Sequence, residues 1–114
     1  MFATEKLLNK YDINTQCINI SNGNIEGPLD LRKFEKNKIL DCTNNKITHI
    51  INLPPTLEYL NCSKNEINKL ENLPDHSIEI NCKKNQLYKL YYPFDVEHKK
   101  YPTKLTHLTW RFKF

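Results

Sequence analysis

The chain has 114 residues, 39% of them hydrophobic and 26% charged, with a net charge of +4 and a mean hydropathy of −0.68. This is the size of one domain with a modest core, and no apolar run approaches the roughly 18 residues of a membrane-spanning helix. The 15 lysines and 2 arginines are interspersed with Asp41, Glu58, Glu66, Glu71 and Glu79, whereas nucleic-acid binding favours a clustered basic face.

The opening residues, Met1-Phe2-Ala3-Thr4-Glu5-Lys6, lack the basic stretch followed by an apolar run that marks a secretion signal. The expectation is an intracellular, cytoplasmic protein with reduced thiols. Lysine-, asparagine- and isoleucine-rich usage points to an AT-rich genome. Residues 1–16 read as a cap: Thr4 as a helix N-cap, with Leu7, Leu8 and Tyr11 on one face of a short helix that covers the open end of the core. Ile18-x-Ile20-x-x-Gly23-x-Ile25 then reads as a degenerate first coil, with Gly23 where later copies carry Asn and Asn24 placed to compensate. Pro28, Leu29, Leu31 and Phe34 supply the packing of its return limb.

From Leu40 to Leu90 one pattern runs three times: Leu40-x-Cys42-x-x-Asn45-x-Ile47-x-x-Ile50, Leu60-x-Cys62-x-x-Asn65-x-Ile67-x-x-Leu70 and Ile80-x-Cys82-x-x-Asn85-x-Leu87-x-x-Leu90. Each copy starts 20 residues after the last, a solenoid period. Strand alternation turns Leu60 and Cys62 inward and Tyr59, Asn61 and Ser63 outward. Stacking makes a parallel sheet with an inward column of Cys42, Cys62 and Cys82 and a polar column of Asn45, Asn65 and Asn85, whose amides satisfy backbone groups where the strands end. Asn68, in contrast, falls on a variable, solvent-facing position. The Leu53-Pro54 and Leu73-Pro74 steps suit extended return limbs. No C-x-x-C pair is present, so the in-phase cysteines read as small buried apolar side chains rather than zinc or redox ligands. Cys17 has the opposite phase and points outward.

Past Leu90, Tyr91–His98 is an insertion before Tyr101-Pro102-Thr103-Lys104-Leu105 resumes the step, and Leu105-x-x-Leu108-x-Trp110 gives a fifth strand. Tyr88, Tyr91, Tyr92, Phe94 and Tyr101 either fill the outer side of the last coils or form an exposed aromatic anchor.

The three copies resemble the leucine-rich repeat, with Cys at one of its leucine positions, and the Leu-Pro steps look like the short, Pro-containing class of that family. Residues 101–114 also resemble the start of an FNIP repeat, a related repeat of amoebae and of the giant DNA viruses that infect them; its continuation, Phe-Asn-x-Pro, does not appear before Phe114. The resemblance implies an α/β-type solenoid: a leucine-rich-repeat horseshoe segment with about five short parallel strands on its concave face, extended or irregular convex limbs, and a short N-terminal capping helix. It divides the chain into a cap, 1–16, and a solenoid, 17–114, within a single domain. It implies a protein-interaction module, with a viral or host-directed adaptor as one setting. FNIP repeats are often joined to F-box segments in ubiquitin-ligase adaptors, but residues 1–38 are too short for an F-box.

The outward columns set out the candidate partner-binding face. Its residues are Ile39, Asp41, Tyr59, Asn61, Glu79, Asn81, Lys83, His107 and Arg111, apolar and aromatic on one side and basic at one end, which suits a polypeptide better than a phosphate backbone. His49, His76, His98 and His107 occupy different repeat positions and the inward cysteines face leucines, so no catalytic pair, cofactor or metal site is expected. The alternatives are a structural or vestigial repeat fragment without a ligand, and the substrate-recognition part of a ubiquitin-ligase adaptor. The last strand runs into Trp110-Arg111-Phe112-Lys113-Phe114 without a cap. Three outcomes are open: the insertion folds over that end, the missing continuation reflects a truncated gene product with a frayed end, or a second copy covers it as a two-fold dimer.

Overall fold

The structure, a computed structural model, describes residues 2–70, 73–74 and 77–85 together with two further strands near the C-terminus. Among the described residues one helix, α1 (Ala3–Lys10), precedes nine strands: β1 (Cys17–Asn19), β2 (Glu26–Asp30), β3 (Ile39–Asp41), β4 (Lys46–Ile51), β5 (Tyr59–Asn61), β6 (Lys69–Leu70), β7 (Glu79–Asn81), β8 (Lys89–Leu90) and β9 (His107–Thr109). The odd-numbered strands form one parallel sheet in the order β1-β3-β5-β7-β9, while β2 pairs with β4 and β6 with β8 in parallel on the return side. Sheet order repeats chain order, so the chain winds as a parallel-strand β-solenoid with one short helix.

Register follows the sequence period. Leu40 lies opposite Leu60, and Leu60 opposite Ile80. The longer first coil still places Ile18 opposite Leu40, and Ile80 pairs with Leu108 across the insertion, so the extra residues do not shift the sheet register. Inward residues then stack by type. Ile18, Leu40, Leu60 and Ile80 make one buried column, Ile20, Cys42, Cys62 and Cys82 a second, and Ile25, Ile47 and Ile67 a third. Phe34, Leu57, Leu70 and Leu73 fill the return side. No coil encloses its own apolar side chains, so each depends on its neighbours for burial.

The asparagine column joins the coils. Asn65 Nδ2 donates to the Cys62 carbonyl of its own coil at 3.1 Å and to the Cys42 carbonyl of the coil before at 2.9 Å, while its Oδ1 accepts from the Ile47 amide at 3.0 Å. Asn85 repeats the set on Cys82, Cys62 and Ile67. Asn45 repeats it on Cys42, Ile20 and Ile25, and its Oδ1 also accepts from the Gly23 amide. Each Asn therefore serves the coil that precedes it. This corrects the reading of Gly23 and Asn24. The first coil has no coil before it to bridge, so Gly23 needs no substitute, and Asn24 is an exposed turn residue at φ +49°.

The N-terminal segment closes the free sheet edges, by means other than those the sequence suggests. The helix begins two residues earlier, with extended Phe2 at the N-cap and the Lys6 amide donating to its carbonyl. Thr4 is thus inside the helix, and its hydroxyl donates to the Pro28 carbonyl at 3.1 Å and accepts from the Asp30 amide at 2.9 Å, along the outer edge of β2. Phe2 adds a bridge to Glu26, and its ring lies where a Cβ on Gly27 (φ +81°) would stand 3.2 Å away. The inward face of α1 is Ala3, Leu7 and half-buried Tyr11, at i, i+4 and i+8, whereas Leu8 is 42% exposed. Tyr11 Oη donates to the Asn19 carbonyl at 2.7 Å and accepts from the Asn19 amide at 2.9 Å, and so occupies the open edge of β1. An unpaired strand edge is a template for further pairing, and these contacts blunt it.

Asn68 is half-buried rather than solvent-facing, and its Oδ1 is buried without a partner among the described residues. Asn65→Ala should therefore lower stability by about 3 kcal/mol by stranding buried amide and carbonyl groups, while Asn68→Ala should cost under about 1 kcal/mol. Urea midpoints of the two variants test this; equal midpoints would contradict the ladder.

Candidate interaction face

The pleat that buries Leu40 and Leu60 sends Ile39 and Tyr59 outward side by side, 41% and 38% exposed. With Glu79 they form one row across the sheet, which continues in register to His107 in β9. Asp41, Asn61 and Asn81 form the adjacent row. Six of the predicted face residues, Ile39, Asp41, Tyr59, Asn61, Glu79 and Asn81, line one groove of about 230 Å³, floored by Leu40 and Leu60. Lys83 is exposed just past the end of β7 and does not line it. The His107 side chain lies outside the described residues, as do Arg111, His76, His98, the aromatic insertion and the end residues Trp110, Phe112 and Phe114 on which the dimer expectation rests.

The second row also has a structural use that the sequence reading missed. Asp41 Oδ1 accepts from the Thr43 amide and hydroxyl, and Asn61 Oδ1 from the Ser63 amide and hydroxyl. Asn19 does the same with Ser21, and Asn81 accepts from the Lys83 amide. These are Asx turns that end each strand. The signal was the spacing Asn19-x-Ser21, Asp41-x-Thr43, Asn61-x-Ser63. One oxygen of each side chain is committed to the fold; Asp41 Oδ2 and the Nδ2 groups of Asn61 and Asn81 have no partner among the described residues. A further missed residue is Asn37, whose buried Nδ2 donates to the Gln16 and Ile39 carbonyls at 3.0 and 2.9 Å and ties the start of β3 to the first coil.

Among the described residues no group of three His, Cys, Asp or Glu side chains could hold a metal ion, and no helix is long and apolar enough to cross a membrane. The His49 ring stands on β4 of the return side, 3.2 Å from the Thr48 hydroxyl and away from the groove. Cys42, Cys62 and Cys82 are buried in column. Burial pushes all three thiols well up, that of Cys82 to about 12, and for Cys42 the Asp41 carboxylate adds to the effect. Neutral thiols of this kind are poor nucleophiles. Comparison with protein-family models, curated proteins and solved structures finds no match.

Cys17 is the exposed cysteine of the first coil. A maleimide applied to native protein above pH 8 should modify Cys17 and leave Cys42, Cys62 and Cys82 unmodified until the chain unfolds; mass spectrometry of the digested product reads the sites. Early modification of Cys62 would overturn the inward register of the column.

Proposed function

We propose that this protein is a polypeptide-binding module whose recognition surface is the outer face of the five-stranded sheet. The supporting observation is the side-by-side pair of exposed Ile39 and Tyr59 in a groove floored by Leu40 and Leu60 and edged by Asp41, Asn61, Glu79 and Asn81. Apolar and aromatic side chains placed centrally within a polar rim are the arrangement from which binding hot spots are built. Short parallel strands give the surface a rigid backing, because each outward residue is fixed by an inward neighbour packed in the core. The raised thiols of the cysteine column favour a binding role over catalysis by those residues.

Membership of the short leucine-rich-repeat solenoids, with a horseshoe curvature and an FNIP-like last coil, belongs to the same proposal. The 20-residue step, the strand-and-asparagine order within each coil and the extended return limbs support it. The recognition part of a larger adaptor, viral or host-directed, is the setting in which such a module would act. A second reading, a structural solenoid without a ligand, draws on the Asx turns, which give the Asp41, Asn61 and Asn81 row a purpose within the fold.

A random peptide library displayed on phage and selected on the immobilised protein separates the two. Peptides should be enriched whose binding falls about ten-fold or more on Tyr59→Ala, while the exposed position leaves the melting curve of the variant unchanged. A library that yields no peptide sensitive to Tyr59→Ala would overturn the binding proposal.

A further inference from the structure

We propose that the groove takes a basic segment of its partner: a lysine or arginine side chain laid across Tyr59 with its cation between the carboxylates of Asp41 and Glu79. The inference rests on the reading of this face as a polypeptide-binding surface and names the chemistry of the occupant. The chain as a whole carries a net charge of +4, yet the charged side chains that line the groove are both acidic, Asp41 and Glu79. Neither has a cationic partner within ion-pair distance among the described residues, where the ion pair present is Arg32–Asp30 at 3.7 Å on the return side. Among the described residues, the groove therefore holds two carboxylates without an ion-pair partner, against the sign of the molecule.

Geometry places a cation between them. Asp41 and Glu79 stand two strands and two residues apart, on β3 and β7, with Tyr59 and Asn61 of β5 between. Strand spacing and rise make that diagonal roughly 12 Å between Cα atoms, so a charge above its centre is roughly 6 Å from each backbone position, within the reach of both side chains. Tyr59 flanks that centre, directly beside Glu79 in register. Its exposed ring offers an electron-rich face to an ammonium or guanidinium group, and Ile39 beside it covers the aliphatic stem. Asp41 Oδ1 is held by Thr43, which fixes the carboxylate and leaves Oδ2 to accept from the ligand. The amide oxygen of Asn61 is committed in the same way to Ser63, so its Nδ2 is left to donate to a carbonyl of the bound backbone.

The test uses the same peptide selection with two conservative variants. Asp41→Asn removes the charge but keeps the turn oxygen, and Asn already occupies that column at Asn19, Asn61 and Asn81. Glu79→Gln neutralises an exposed strand position. Peptides sensitive to Tyr59→Ala should be enriched in lysine or arginine. Their affinity should fall about five-fold in the Asp41→Asn/Glu79→Gln double variant, the sum of two partly exposed charge pairs. Raised salt should weaken them on wild type far more than on the double variant. Peptides that depend on Tyr59 but lack basic residues, and bind the double variant as tightly as wild type, would overturn the proposal while leaving the polypeptide-binding face intact. An absence of peptides that depend on Tyr59 would overturn both.

Discussion

One amide group per coil holds this solenoid in register. Where each sheet strand ends, the carbonyls of Cys42 and Cys62 lose their strand partners in the protein interior, and Asn65 reaches both, one in its own coil and one in the coil before. An unpaired buried backbone group costs about 1–3 kcal/mol, so the asparagine is worth more for the groups it keeps from being stranded than for any bond taken alone. Its oxygen accepts from Ile47, the first apolar residue of the preceding return limb. Strand end and limb start are thereby fixed together, and the turn between them inherits its path. The inward cysteines fit the same constraint. They supply the carbonyls to which the amides bond, and as small apolar side chains they fill a column flanked by leucine and isoleucine without a buried polar atom that needs a partner.

The ladder has a direction, and the ends of the molecule follow from it. Each asparagine looks back one coil, so the first coil tolerates Gly23 in the asparagine place. Its outer edge has no neighbour to pair with, and a different device is required. Tyr11 and Lys10 bond the exposed backbone of Asn19 in β1, while Thr4 bonds Pro28 and Asp30 of β2. A single short helix thus closes two sheet edges with hydroxyl and ammonium groups and covers the core end with Ala3 and Leu7.

The parts that repeat were legible in the sequence. The period of 20 fixed strand register, and strand alternation then assigned Cys42, Cys62 and Cys82 inward and Cys17 outward, because one residue of slip would have exposed every leucine. What the period did not reveal occurs once or has two uses. A threonine near a helix start can cap the helix or bond a neighbouring strand, and only the unpaired edge of β2 decides for Thr4. Leu8 is as apolar as Leu7, but Ala3 sets the helix face. Asp41 and Asn61 read as free surface because an Asx turn leaves one of their polar atoms outward. The left-handed turn column begins with Asn22 and Asn44, residues that tolerate that conformation, and continues with Lys64 and Lys84 at φ +57° and +55°. Side-chain identity gave no warning of a positive φ at either lysine. The strand pairing of β2 with β4 was also hidden, since Pro28 and Gly27 argue against a strand and are accommodated by a register shift between them.

The division of labour within the second outward row links fold and proposed function. The same side chains end the strands and present their remaining atoms to the groove, so the surface is as rigid as the turns beneath it. Rigidity of this kind lowers the entropy lost on binding, and it depends on coils that do not open independently. Amide hydrogen exchange of Ile25 and Ile67 tests that dependence most directly. Both lie outside the strands, and their amides are bonded by Asn45 and Asn85 of the following coil. If the asparagine ladder couples the coils, these two amides exchange as slowly as those of the sheet strands, through global unfolding alone. Exchange at the rate of the exposed turn residues would show that the coils open one at a time and that the ladder does not hold them together.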